Sequence, residues 1–340
     1  MYTQRTVKTN RLKVAYYREG DPKNPKLLLI HGNLSSSVFF LPLYENLTKW
    51  FDVAAPDLRC FGDTEDKQIN ATRGYRDWSD DLASFTKAIG WKKFSIAGWS
   101  MGGNIAMQYM IDYTDQVDKV ILIAPGSPFG FGGTKDEKGT PHSPLGLGSG
   151  GGCANQGLVM ALANKDRIAL RQILNEFYFT PPFRLSAEWE NLLLDGIAKT
   201  RTGYGRYPGN YHMTMQWPFV VPGNRGVLNA MTPNYGNQAD DLIHIADKPP
   251  ILWIRGNNDT IVSNHSMMEF GNLGRMGIVF GWPGNSRYPA QPMIDQTRYV
   301  LDRYRENGGA YQELVLPGGH MCCLESPQHF ITAACSFLLN

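Results

Sequence analysis

The chain has 340 residues, 42% of them hydrophobic and 19% charged, with a formal net charge of +2. That length suffices for one large core or for a core with a smaller cap, and a charge so close to neutral makes no electrostatic case for a nucleic-acid or membrane partner. No apolar stretch reaches the span of a transmembrane helix, and the opening M-Y-T-Q-R-T-V-K-T-N-R is too polar for a secretory leader. The five cysteines (Cys60, Cys153, Cys322, Cys323, Cys335) are an odd number without C-x-x-C or metal-type spacing, which fits a reducing compartment. The expectation is a cytoplasmic protein.

Residues 12–17 and 26–30 read as strands, and K-L-L-L-I is a continuous apolar run of the kind covered on both faces. H-G-N-L-S-S-S follows as a glycine turn leading to serines placed to cap a helix through about residue 50. The next strand is 51–55, ending in P-D-L-R-C-F-G-D-T. Residues 75–89 have a helical period, with Trp78, Leu82, Phe85 and Ile89 on one face and Gly90 as a stop. Strand 94–97, helix 101–113 and strand 117–124 complete the alternation. Such a pattern predicts an α/β protein with a mostly parallel central sheet and helices on both faces.

The alternation then breaks. Residues 125–154 are dense in glycine and proline and read as a flexible connector; no strand feeds this stretch and no G-K-[S/T] ends it, so it is not a phosphate loop. Residues 155–240 carry helical patches and many aromatics but no recognisable strand. A buried strand returns at 249–255, then a helix at 293–306, a last strand at 311–316 and a closing helix from about 328. The start of that helix, S-P-Q-H-F, puts serine at the cap and proline in the first turn. The predicted division is a core of 1–125 and 240–340 with a mainly helical cap, 126–239, inserted after the sixth core strand.

Gly98-Trp99-Ser100-Met101-Gly102 matches G-x-S-x-G between a predicted strand and a predicted helix. A sharp strand-to-helix turn holds such a serine in a strained conformation, so its close neighbours must lack side chains. The turn also sets the hydroxyl near a helix N-terminus, where free N–H groups favour developing negative charge. A nucleophilic serine needs a base and an orienting acid at later strand ends. I-L-W-I-R-G-N-N-D puts Asp259 beyond one buried strand, and E-L-V-L-P-G-G-H puts His320 beyond the last. Asp57 also follows a strand but precedes Ser100, the wrong order. His142, His212, His244, His265 and His329 fall in the connector, the insert, polar loops or a helix, and His31 reads as shaping its turn. One oxyanion donor is expected from the N–H of Met101, and the other from H31-G32-N33-L34, with Asn33 ahead of Leu34.

With H-G-N early, the serine elbow, Asp259 and the late G-H-M-C-C-L-E-S-P, the chain resembles the α/β-hydrolase superfamily over about 1–125 and 240–340. The insert resembles the variable cap that such proteins carry over the site. Two departures bear on substrate: Asp259 and His320 lie about 60 residues apart, with a glycine-rich and aromatic loop at 263–292 between them, and the insert is large. Relatives that attack sp³ carbon, the haloalkane dehalogenases and epoxide hydrolases, use a carboxylate nucleophile, so Ser100 argues for acyl transfer instead. The expectation is hydrolysis of a small-molecule carboxylic ester or lactone, with no metal or organic cofactor. A carbon–carbon bond hydrolase, a perhydrolase and a slow-turnover ligand sensor are the alternatives of the same fold. Aminopeptidases of the superfamily tend to carry an H-G-G-P-G-like turn, which H-G-N-L lacks.

Phe177, Phe179, Phe183, Met213, Met215, Trp217 and Phe219 cluster in the insert, either as an apolar substrate pocket or as the cap's own core. Glu325 reads as helping the last helix start, with a role beside His320 as the alternative, and Arg59 in D-L-R-C-F-G as structural. Cys322 and Cys323, just past His320, read as small buried residues.

Overall fold

A computed structural model describes residues 2–340. In chain order the strands are β1 (Arg5–Lys8), β2 (Lys13–Glu19), β3 (Lys26–Ile30), β4 (Asp52–Pro56), β5 (Phe94–Trp99), β6 (Val117–Ile123), β7 (Tyr211–Met213), β8 (Val220–Pro222), β9 (Ile251–Gly256) and β10 (Tyr311–Leu316). Eight form one sheet in the order β1-β2-β4-β3-β5-β6-β9-β10, while β7 and β8 pair as a separate antiparallel hairpin. From β4 to β10 the neighbours run parallel; β1–β2 and β2–β4 are antiparallel.

Every residue of β4 and β5 is buried, and so is all of β3 beyond Lys26. Helices cover both faces of these strands, so their sequences run apolar without alternating. At the β10 edge only Leu316 is buried. There Glu313 takes Arg255 at 2.7 Å and Arg298 at 3.0 Å, a charged finish that discourages further strand pairing.

The core helices are α1 (Leu41–Leu47), α2 (Arg76–Ala88) and α3 (Met101–Asp112), and α3 packs on β5, β6 and α2. As expected, α2 buries Trp78, Leu82 and Phe85 and the chain turns out at Gly90 with φ +80°. Helices Met293–Glu306 and Pro327–Leu339 flank β10 in sequence, and the latter packs on α1. Between β6 and β9 come α4 (Gln156–Asn164), α5 (Arg167–Ile173) and α6 (Ala187–Ala198), which pack on one another, and then the β7–β8 hairpin. Helix α6 rests on the 3₁₀ turn Ser37–Phe40 so closely that a Cβ at Gly196 would stand 2.7 Å from Ser36 Oγ.

Four expectations change. β1, with one apolar residue in R-T-V-K, is an edge strand too polar to signal itself. The insert does hold strands, β7 and β8, each only three residues long and separated by a turn that contains proline. The glycine connector is a packed loop rather than a free tether: the Gln291 side chain donates to Gly130 O and accepts from Gly132 N–H, and a Cβ at Gly150 would stand 2.2 Å from the Phe270 ring. The serines expected to cap the helices after β3 and β10 do not do so with their side chains. Ser326 donates to Pro317 O at 2.8 Å, and Ser35 donates to Gly32 O at 2.8 Å, so these hydroxyls tie loops together instead.

Candidate active site

Ser100 ends β5 and starts α3 with φ 57° and ψ −126°. A non-glycine residue in that region costs about 1–3 kcal/mol and persists only where its surroundings over-determine it. Here they do. Ser100 N–H donates to Ile123 O on β6, and Ser100 O accepts from Gly103 N–H, both at 2.8 Å. The turn closes because Gly98 and Gly102 have no side chains: a Cβ at Gly98 would lie 2.2 Å from Gly102 O, and one at Gly102 would lie 2.2 Å from Ile30 O. The H-G-N turn packs directly on the serine, since a Cβ at Gly32 would stand 2.8 Å from Ser100 Cβ.

Asp259 follows β9 and His320 follows β10, so both sit with Ser100 and Asn33 at the carboxyl edge of the parallel strands, where open α/β sheets place their ligands. His320 Nδ1 donates to Asp259 Oδ2 at 2.8 Å, and both side chains are buried. The other carboxylate oxygen, Oδ1, accepts the N–H groups of Ile261 (2.8 Å) and Val262 (2.9 Å). Three donors therefore hold the acid in one orientation, with Nδ1 as the protonated nitrogen and Nε2 left as the basic one. Trp99, the residue before the serine, donates from Nε1 to His320 O at 2.8 Å, and its ring lies 5.3 Å from the imidazole. The histidine loop is thus fastened to the serine turn. Trp99 also stacks on Phe39 at 5.4 Å, so its side chain packs beneath the turn.

Met101 is the first residue of α3, and its backbone N–H is one of the four that a helix start leaves without an intrahelical partner. Asn33 lies in the turn after β3, followed by Leu34 at φ 48°. The Asn33 side-chain oxygen is buried without a hydrogen-bond partner.

The family model described as alpha/beta hydrolase fold matches residues 25–147. A pimeloyl-[acyl-carrier protein] methyl ester esterase of Shewanella oneidensis is 36% identical over 109 residues, 32% of this chain and 37% of that protein. An uncharacterised protein of Mycobacterium tuberculosis is 32% identical over 113 residues, 33% of this chain and 31% of that protein. The chain thus spans about a third of the length of these curated relatives. Among solved structures, an esterase of Exiguobacterium antarcticum shares the fold with a TM-score of 0.62 at 15% identity, with 100% of both chains covered. The chain has the alpha/beta hydrolase fold.

In this fold two residues, Tyr178 and Glu325, join the insert to the site. The Tyr178 hydroxyl lies 3.0 Å from Asn33 O and 3.2 Å from Leu34 O, to which it donates, while Tyr178 O accepts from Met321 N–H at 2.8 Å. One side chain so braces the H-G-N loop and its backbone braces the histidine loop. Glu325 takes Gly319 N–H at 2.5 Å and Thr180 N–H at 2.8 Å, and burial raises its pKa despite those donors. It ties the residue before His320 to the insert rather than starting the last helix. The sequence signal for Tyr178 is its place in E-F-Y-F-T-P-P-F, a polar aromatic among phenylalanines.

The remaining candidates resolve differently. Asp57 is buried and accepts from Ser37 N–H, Ser37 Oγ, Asp63 N–H and Gln4, which makes it a brace for the loops after β3 and β4. His31 accepts Leu58 N–H at Nε2 and donates from Nδ1 to Gly32 O, and burial lowers its pKa to about 3, so it is a neutral turn residue. Arg59 forks onto both oxygens of Asp81 at 2.7 Å, a structural pair. Burial pushes the Cys323 thiol up to about 12 and Cys322 well above its ordinary value, so neither is a thiolate. His244 turns back on Asp240, and His142 lies against Tyr288 at 4.4 Å. The seven apolar cap residues divide: Phe177, Phe179 and Phe183 pack against the core, Trp217 is buried elsewhere, and Met213, Met215 and Phe219 are exposed.

Proposed function

We propose that the protein is a serine hydrolase that cleaves a carboxylic ester, or a lactone as a cyclic ester, through an acyl-enzyme. Ser100 is the nucleophile, His320 the base and Asp259 the residue that orients and supports the imidazole. His320 Nε2 takes the hydroxyl proton as Ser100 Oγ attacks the carbonyl carbon. The N–H groups of Met101 and Asn33 receive the oxyanion, a contribution worth roughly 3–4 kcal/mol per donor in comparable sites. His320 then hands its proton to the leaving alkoxide. The same nitrogen activates a water that attacks the acyl carbon, and the acid leaves with Ser100 restored. Every step uses groups of this chain, substrate and water.

The observation that carries this reading is the buried His320–Asp259 pair at 2.8 Å, fastened through Trp99 to a serine held at φ 57°. Esterases among the relatives support it: the Shewanella oneidensis protein is named for methyl ester hydrolysis and the Exiguobacterium antarcticum one as an esterase. We assign 1–125 and 240–340 to the catalytic core and 126–239 to a cap that braces it through Tyr178 and α6. The substrate class is a small-molecule ester.

The test is hydrolysis of a p-nitrophenyl ester series, from acetate to long chains, by the wild type and Ser100→Ala. Loss of turnover in the variant, on at least one ester that the wild type cleaves, is the expected result. Equal turnover by the two proteins on every ester overturns the reading.

A further inference from the structure

The β7–β8 hairpin and the segment around helix Phe270–Arg275 form one lobe whose outer surface is apolar. Met215 is 94% exposed, Phe280 91% and Met213 73%, with Phe219, Met276 and Ile278 exposed beside them in the same two segments. The segments are joined, not merely both exposed. Trp217 donates from Nε1 to Phe280 O at 3.2 Å, and a Cβ at Gly281 would stand 3.4 Å from the Phe219 ring. Trp217 itself is buried, with Tyr288 at 4.8 Å and Phe270 at 6.4 Å. The lobe has a packed aromatic base, and its exposed side chains stand out from it.

Soluble surfaces scatter such residues singly; a contiguous group calls for a partner. The charges around it say which kind. Residues 211–222 of the hairpin hold no acidic residue and no Lys or Arg; Lys199, Arg201 and Arg206 lie instead beside the loop after β4, where Arg201 N–H reaches Cys60 O. Between Asp259 and Asp295 the sole acid is Glu269, which is buried and accepts from Gly271 and Asn272 N–H groups. Lys199 and Arg206 are paired with Asp63 and Asp66, but Arg275 and Arg287 are exposed and make no ion pair among the described residues. A net charge of +2 for the whole chain conceals this local excess.

We propose that this lobe docks on an anionic phospholipid surface. Its apolar side chains enter the boundary between headgroups and acyl chains, to a depth of about 5–10 Å, while Arg275 and Arg287 meet the lipid phosphates. A second copy of the chain is the poorer occupant. A two-fold contact would set Arg275 and Arg287 against their own copies, since the one acid of their segment, Glu269, is buried. The inference concerns a surface, so it stands apart from the esterase reading and its test needs no turnover.

The experiment is co-sedimentation of the full chain with vesicles of phosphatidylcholine alone and of phosphatidylcholine mixed with phosphatidylglycerol, at low and high salt. Expected is at least about tenfold stronger binding to the anionic vesicles, falling with salt as charges are screened. Met215→Asp with Phe280→Asp should lose about tenfold of that binding, while its melting temperature, which reports the fold, stays at the wild-type value. Arg275→Ala with Arg287→Ala should weaken binding to anionic vesicles and flatten the salt dependence. No binding by the wild type, or equal binding by the aspartate variant, overturns the proposal. So does a concentration-dependent dimer that the aspartate variant abolishes while vesicles bind neither protein.

Discussion

At the carboxyl edge of the sheet, His320, Asp259 and Asp57 are buried, and both carboxylates and His320 Nδ1 have named partners, whereas on the β7–β8 lobe Met213, Met215 and Phe280 stand in solvent. The first region places polarity where water is excluded, and the second places apolar surface where water is present. Burying a carboxylate is tolerated only when donors replace the lost hydration. The edge meets that demand largely with backbone N–H groups of the loops that follow the strands. The result is a set of polar groups aimed before any ligand arrives, as catalysis by preorganised dipoles requires. The lobe has no comparable ties on its outer face, so its role rests on what it meets.

The hardest way to break the first region is Asp259→Asn. Ile261 and Val262 N–H groups both point at Oδ1, so the amide must keep its oxygen there and turn its NH₂ toward His320. The imidazole then accepts at Nδ1 and carries its proton on Nε2, where it cannot take one from Ser100. We expect kcat on the best p-nitrophenyl ester to fall by roughly 10⁴ with little change in KM. A loss smaller than about tenfold would remove Asp259 from its assigned role.

His31 tests burial without a compensating charge. Its folded pKa is about 3 against an ordinary 6.5, so between those values the unfolded chain binds more protons than the folded one. Stability therefore rises with pH across the window and is lost on acidification from about 6.5 toward 3. The slope from this one group is at most about 1.4 kcal/mol per pH unit. Thermal or urea melts of wild type and His31→Gln over that range should differ in slope by about this amount, the variant being flatter. Parallel curves would mean that His31 is already protonated in the folded protein.

How much of this was legible in the chain depends on the distance over which each requirement acts. The K-L-L-L-I and Y-Q-E-L-V-L strands and the bend at Ser100 follow from neighbours in sequence: apolar runs, and glycines on either side of a serine. The contact between Asp259 and His320 spans 61 positions, yet each lies just past a strand end, and parallel strands bring such ends to one edge. Tyr178 and Glu325 carry no such local mark. The partners that join insert to core lie about 145 residues away, across a boundary that composition alone does not orient. β7 and β8 were missed because three residues are too few to show a period of two.

Tyr178 sharpens the comparison, since it carries order from the insert into the edge, its ring set edge-on to the His320 imidazole at 6.1 Å. Tyr178→Phe keeps the ring against Trp99 and Phe39 and removes only the hydroxyl between Asn33 O and Leu34 O. A lost hydrogen bond of this kind costs about 1 kcal/mol of stability. A looser oxyanion loop should lower kcat by roughly tenfold while KM holds, because the loop's donors matter most in the transition state. A fall in stability with unchanged kcat would make the hydroxyl merely structural.

The smallest effect tests the lobe. Phe280 is 91% exposed, and its backbone carbonyl, not its ring, accepts from Trp217. Removing the ring deletes almost no burial, so Phe280→Ser should change unfolding free energy by no more than about 0.5 kcal/mol. It should leave ester turnover where it was. A larger loss of stability would mean that the ring is covered in solution, by another copy or by a rearranged loop, and that the lobe is a packed surface like the edge. A neutral outcome leaves the exposed group in need of an explanation outside the folded chain. Folding does not require these side chains, yet their exposure costs solubility, and that imbalance is what a surface partner would resolve.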